Sequence, residues 1–343
     1  MRILIDKVSG IYKRPGCLGW LLRGLSFLVM LAIFGTIYQS IGMARDLHLY
    51  PPPGQLVDVG GYRLHLYCIG EGSPTVILEA GSGGKGVIAW SLVQKQMAAT
   101  TRARVCSYDR AGFGWSDPDP ANKPIASIQV AQTLHTLLHN AGIEEPYIMV
   151  GHSSGGLHVR NFAYQYPDEV AGLVLVDSVT ENYYLIYPPD ATEEFFDNIG
   201  WKYCHLMTAI GVARLFGETS LSKPLGLPTS QRGRFPLTES LYRADLANRN
   251  RTHYCRVVGN EEMANRNDEI QTTPPQSLGD LHLIVLTAGT DPTWGKMQNE
   301  LASLSTNSTH IVVEDGAHYI QFFQPEIVID AVGNMVERVR IGK

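Results

Sequence analysis

The chain has no closely spaced cysteine pair. Its 343 residues include 5 cysteines and no Cys-x-x-Cys, so spacing gives no ground for a zinc site or a thioredoxin-like redox motif. Charge is also sparse: 18% of residues are Asp, Glu, Lys or Arg, and the formal net charge is −5. No basic stripe interleaved with aromatics occurs, which sets nucleic acid aside as a partner. Internal repeats and low-complexity tracts are missing too. What is present, 44% hydrophobic residues over a long chain, suffices for a large globular core.

Charge disappears altogether over residues 24–44, which contain no Asp, Glu, Lys, Arg or His. As a helix this stretch is about 30 Å long, enough to cross the hydrocarbon core of a bilayer. Arg2, Lys7, Lys13, Arg14 and Arg23 precede it, whereas only Arg45 and Arg63 follow closely. That asymmetry predicts a single-pass membrane anchor with a short cytoplasmic segment (1–23) and the rest of the chain on the extracytoplasmic side. A cleaved signal peptide ending at Gly42-Met43-Ala44 is the competing reading; the apolar span exceeds the roughly 7–15 residues of a signal core, which favours a retained anchor.

Residues 45–55, with Tyr50-Pro51-Pro52-Pro53-Gly54, read as a stiff stalk. Residues 56–59 and 62–68 then alternate apolar and polar side chains around Gly60-Gly61, a hairpin pattern. Beyond Thr75, short apolar runs at 75–80, 104–108, 147–150, 172–176, 283–287 and 310–314 read as strands, and 128–141, 157–166 and 327–339 carry helical spacing. Such alternation predicts an α/β fold, a doubly wound and mostly parallel sheet covered on both faces. It breaks off over 179–275, an aromatic stretch with Tyr183-Tyr184, Phe195-Phe196, Trp201 and Tyr203, too long for a loop and therefore read as a helical cap inserted between core segments 56–178 and 276–343. Cys204 and Cys255 could bridge within that insert, though spacing alone does not establish it.

The most telling stretch is Gly151-His152-Ser153-Ser154-Gly155-Gly156, between an apolar strand and a helical pattern. A sharp strand-to-helix reversal forces its central residue into a strained backbone conformation, and small neighbours let strand and helix approach. Ser153 then stands clear of the sheet edge, with the Ser154 amide and a helix start aimed where negative charge would collect on an attacked carbonyl. A serine needs a base, and the base needs an orienting acid. His318 follows the last strand through Glu314-Asp315-Gly316-Ala317, and Asp291 follows the preceding one through Ala288-Gly289-Thr290. Asp177, directly after 172–176, is the alternative acid; chain order and the glycine-containing loop favour Asp291. His152 reads as packing beside the turn, Asp109 and Arg110 as framing the site, and Asp117 as bracing the same loop.

The stretches 78–84, 108–117, 151–156, 286–291 and 316–318, which together span the domain, resemble the α/β-hydrolase superfamily. Where that family often carries His-Gly after its third strand, this chain has Ala80-Gly81. By resemblance the Ser82 amide joins that of Ser154 in an oxyanion hole. The resemblance implies a serine hydrolase acting on a carboxylic ester or related small acyl substrate, with no metal or organic cofactor. Serine at 153 argues against the aspartate-dependent dehalogenases and epoxide hydrolases of the superfamily. Amidase or peptidase, thioesterase and acyltransferase chemistry share the same triad; a non-catalytic membrane-anchored binding protein is the reading from another class.

Overall fold

The element boundaries come from a computed structural model that describes residues 16–83, 85–222, 224–225, 227, 233–267 and 276–342, with the side chains of 192–193, 195–198 and 267 outside the description. Arg2, Lys7, Lys13, Arg14, Gly84 and the side chains of Phe195 and Phe196 thus lie outside the described residues.

Helix α1 (Cys17–Leu49) is followed by β1 (Gln55–Asp58), β2 (Arg63–Ile69), β3 (Thr75–Glu79), α2 (Gly86–Ala89), α3 (Gln94–Thr101), β4 (Val105–Asp109), α4 (Ser127–Asn140), β5 (Tyr147–His152), α5 (Gly155–Gln165) and β6 (Val170–Val176). The insert contributes α6 (Tyr183–Ile186), α7 (Ala191–Ala209), α8 (Val212–Phe216), α9 (Glu239–Arg249) and α10 (Tyr254–Asn267). The core resumes with β7 (His282–Ala288), α11 (Pro292–Ala302), β8 (Ser308–Val313), α12 (Ile320–Phe323) and α13 (Pro325–Arg340). One eight-stranded sheet runs β1-β2-β4-β3-β5-β6-β7-β8. The first two pairings, β1 with β2 and β2 with β4, are antiparallel, and the remainder are parallel.

The continuous apolar runs of the central strands follow from burial on both faces. Side chains alternate across a strand, so Val76, Leu78, Ile148, Val150, Val174 and Val176 pack on one side with Trp90, Met97 and the Val328, Val332 and Met335 stripe of α13. Ile77, Met149, Leu173 and Leu175 pack on the other with Leu134 and Leu138 of α4 and Val159 and Phe162 of α5. From β3 the chain reaches β4 on one side and β5 on the other, a reversal that opens a crevice at the carboxyl ends of the parallel strands.

Two local readings change. The apolar helix runs through Leu49, beyond both 24–44 and the first part of the expected stalk. Tyr50–Gly54 is docked on the core: the Trp115 indole donates to the Tyr50 carbonyl at 2.8 Å, and His65 bonds the Pro53 carbonyl. Polyproline stiffness is visible in sequence, but docking depends on partners from β2 and the loop after β4. Two disulfides close, Cys204–Cys255 between α7 and α10, and Cys68–Cys106 between the paired strands β2 and β4.

Candidate active site

Ser153 sits between β5 and α5 with φ of +53°, in the left-handed region that a side chain rarely occupies. The glycines around it are required by contact. A Cβ on Gly151 would lie 2.6 Å from the Gly155 carbonyl, one on Gly155 would lie 2.6 Å from the Glu79 carbonyl, and one on Gly156 would meet Ser178 Oγ at 1.5 Å. Strand, turn and helix are therefore packed against β3 and the end of β6 with no room for side chains. The Ser153 amide donates to the Val176 carbonyl at 3.1 Å, tying the turn to the neighbouring strand end.

His318 lies in the loop after β8. Its Nδ1 donates to Asp177 Oδ2 at 2.6 Å; the carboxylate is buried, while 42% of the imidazole side chain is exposed to the crevice. Asp177 follows β6, also has a positive φ (+45°), and accepts two further hydrogen bonds at Oδ1, from the Ala288 amide at 2.8 Å and the Trp294 indole at 2.6 Å. Asp291, the acid favoured by chain order, is not the group against the histidine. It is the N-cap of α11, where its Oδ1 accepts from the Trp294 amide at 2.7 Å, and its exposed side chain reaches only the rim. His152 Nε2 donates to the His318 carbonyl at 2.8 Å, which fixes the backbone of the loop. Burial, with a smaller contribution from the nearby His318, lowers the His152 pKa to about 3 and keeps that ring neutral.

The loop after β3 is clamped from three sides. Arg110 donates from Nη1 to the Ala80 carbonyl at 2.6 Å and from Nη2 to the Gly81 carbonyl at 2.8 Å. The same guanidinium meets Glu79 Oε1 at 2.5 Å and Glu261 Oε1 at 2.5 Å, and Glu261 Oε2 accepts the Gly83 amide at 2.9 Å. Asn265 donates to Ser82 Oγ at 3.0 Å, whose hydroxyl in turn donates to Ser154 Oγ at 2.9 Å. Burial would lower the Arg110 pKa and raise that of Glu79. The attraction of Glu261 and Glu79 reverses the first, and Arg110 and His158 reverse the second, so Arg110 stays firmly cationic and Glu79 anionic. Among the described residues, neither the Ser82 nor the Ser154 amide donates to another protein group.

Ser82, Ser153, Ser154, Asp177 and His318 line one cavity of about 980 Å³, roofed by cap residues including Tyr183, Tyr184 and Glu262. A family model for the alpha/beta hydrolase fold matches residues 74–325. The chain belongs to that family.

Among solved structures, this α/β-hydrolase is similar to a lipase, described as putative, from Acinetobacter baumannii (TM-score 0.62, 18% identity, covering 89% of this chain and 97% of that one). It is also similar to a thermophilic esterase from Thermogutta terrifontis (TM-score 0.57, 21% identity, 83% and 98% covered). At these identities the likeness concerns the fold alone. The uncharacterized protein YbdG of Bacillus subtilis is 27% identical over 193 residues, 56% of this chain and 57% of that protein. The chain thus spans little more than half of this curated relative, and 19% of the probable transporter efuK of Hormonema carpetanum.

Of the residues read from sequence, Ser153, Ser154, Ser82 and His318 meet in the cavity of this α/β-hydrolase, with Asp177 behind the histidine and Asp291 at the edge. Asp109 does not line the cavity; it holds the loop after β4, accepting the Val87 and Trp115 amides at 2.9 and 3.0 Å and pairing with His65 Nδ1 at 2.7 Å. Asp117 braces the same loop through Arg63 Nε at 2.8 Å. Glu261 and Asn265 were missed. They come from α10 in the cap, Glu261 being 151 residues from its partner Arg110, and nothing local marks them. The Asp291 cap did leave a local signal, because Pro292 at the first helical position marks a helix start.

Proposed function

We propose that this chain is a serine hydrolase that cleaves a carboxylic ester or related acyl compound through an acyl-enzyme on Ser153. The observation that carries the reading is the buried Asp177 carboxylate holding His318 Nδ1 in the cavity that contains the strained Ser153. Asp177 keeps the proton of neutral His318 on Nδ1, leaving Nε2 to accept the Ser153 hydroxyl proton as Oγ attacks the acyl carbon. The tetrahedral oxyanion is received by the Ser82 and Ser154 amides, each contributing about 3–4 kcal/mol in hydrolases of this kind. Protonated His318 gives its proton to the leaving group. It then deprotonates a water that attacks the acyl-enzyme, and the acid product departs as Ser153 recovers its proton.

Two features support this over a binding protein on the same fold. A binding module has no use for a non-glycine residue held at positive φ, which costs on the order of 1–3 kcal/mol. Nor has it a use for a charge-assisted Asp–His bond facing a cavity. The paired cysteines of the catalytic domain, with Cys17 free at the far end of α1, support a domain on the oxidising, extracytoplasmic side of a membrane. The test is a fluorophosphonate probe on the full-length protein. Stoichiometric labelling that vanishes in Ser153→Ala is the expected result; labelling that survives the substitution refutes the assignment.

A further inference from the structure

Helix α1 is welded to the cap rather than tethered beside it. A Cβ on Gly35 would lie 2.1 Å from the Ile210 carbonyl, and one on Gly42 would lie 2.5 Å from Arg214 Nε. A Cβ on Gly211, which has φ of +75°, would in return lie 2.7 Å from the Gly35 carbonyl. Between the two glycines, Gln39 is 1% exposed; its Oε1 accepts from Arg214 Nε at 2.9 Å and its amide donates to the Asn250 carbonyl. One turn after Gly42, Asp46 pairs with Arg214 at 2.7 Å. Gly35, Gln39, Gly42 and Asp46 recur at spacings that fall on one helix face, so they form a continuous seam.

That seam fixes the depth of the cap. This step rests on the reading of α1 as a bilayer span. Arg23 is the last charged residue before the apolar run, and its cation belongs at the cytoplasmic headgroups. About 20 residues at 1.5 Å each cross the hydrocarbon core, so the helix leaves it near Met43. Gly35 then lies about 12 Å inside the outer boundary. A cap whose Ile210-Gly211 turn touches Gly35 cannot stay in water while α1 spans the bilayer.

The surface flanking the contact has the matching composition. On α7, Ile199, Tyr203 and Leu206 follow at i, i+4 and i+7, and all three are exposed. Leu206 is 53% exposed one turn before Ile210, and Leu215 is 56% exposed one turn after Gly211. On α1, Phe34, Ile37 and Ile41, which flank Gly35 and Gln39 in sequence, are exposed as well. We infer that the α7–α8 face of the cap is seated in the outer leaflet, with Leu206 and Leu215 among the acyl chains. Burial to a comparable depth, about 5–10 Å, is what interfacial amphipathic helices achieve.

The test uses full-length protein in phosphatidylcholine nanodiscs, with Cys17→Ser to remove the free thiol and a nitrobenzoxadiazole (NBD) fluorophore on Leu206→Cys, Leu215→Cys or Phe34→Cys. Doxyl-labelled phosphatidylcholine quenches from within the bilayer, and iodide quenches from water. The expected result is at least two-fold doxyl quenching at all three sites, with shielding from iodide. Quenching at Phe34 alone, with iodide reaching positions 206 and 215, overturns the seating while leaving the span intact. Quenching at none of them overturns the span and the seating together.

Discussion

Replacing Asp177 by Asn keeps the shape of the side chain and tests the acid directly. The carboxylate accepts three bonds: His318 Nδ1 at 2.6 Å, the Trp294 indole at 2.6 Å and the Ala288 amide at 2.8 Å. The single Asn oxygen can keep the two donors at Oδ1. Its NH2 group then faces His318 Nδ1, which must become an acceptor, so the ring proton moves to Nε2 and the base that should receive the serine proton is lost. The analogous change in a serine protease triad lowers kcat about 10⁴-fold, or about 5.5 kcal/mol of transition-state stabilisation. The same order is expected here in the hydrolysis of a short-chain p-nitrophenyl ester and in the rate of fluorophosphonate labelling. Asp291→Asn, by contrast, exchanges one good N-cap for another and should leave both rates within a few-fold of the parent; Asp291→Ala should cost about 1 kcal/mol of stability through the lost cap. If Asp291→Asn abolishes activity and Asp177→Asn spares it, the histidine uses the other acid in solution and the reasoning fails.

Glu261→Gln removes one of the two anions around buried Arg110 and loosens the Gly83 amide. Denaturant unfolding should show a loss approaching the roughly 3–5 kcal/mol of a broken buried pair, and kcat should fall by up to about 10²-fold with KM within a few-fold; an unchanged kcat would show that Glu261 does not position the oxyanion loop. Gly155→Ala drives a Cβ to 2.6 Å from the Glu79 carbonyl, so a loss of about 1–3 kcal/mol is expected from chemical denaturation, and a neutral result would refute the close packing of β3 on α5. His152 titrates at about 3 in the folded chain and at about 6.5 when unfolded, so the unfolded state binds the extra proton between those values. Stability therefore falls as pH drops from about 6.5 towards 3, with this residue contributing up to about 1.4 kcal/mol per pH unit. Urea melts across that range should show a shallower slope in His152→Asn; equal slopes would mean that the ring is not held neutral.

Much of the architecture was legible because it is written in short-range periodicity. Continuous apolar runs such as 147–150 and 172–176 separated by helical spacing lead directly to β5, α5 and β6, and the glycines around Ser153 announce a turn that no bulkier residue could make. The uncharged run 24–44 marks a helix of membrane-spanning length for the same reason, although the helix continues to Leu49 because nothing before Tyr50 stops it. Composition set apart the aromatic stretch between β6 and β7 but gave none of its contacts. Which carboxylate bonds His318 is visible in the tertiary structure alone. Asp177 and Asp291 both follow strand ends in the right chain order. The choice turns on where β6, β7 and the His318 loop lie side by side, and on Trp294, whose indole steadies Asp177 while its amide occupies Asp291. Glu261 and the Gly35 seam belong to the same class. Each is a contact between elements far apart in sequence, formed only when the sheet, the cap and the apolar helix α1 have packed, and a linear pattern of residue types contains no term for that distance.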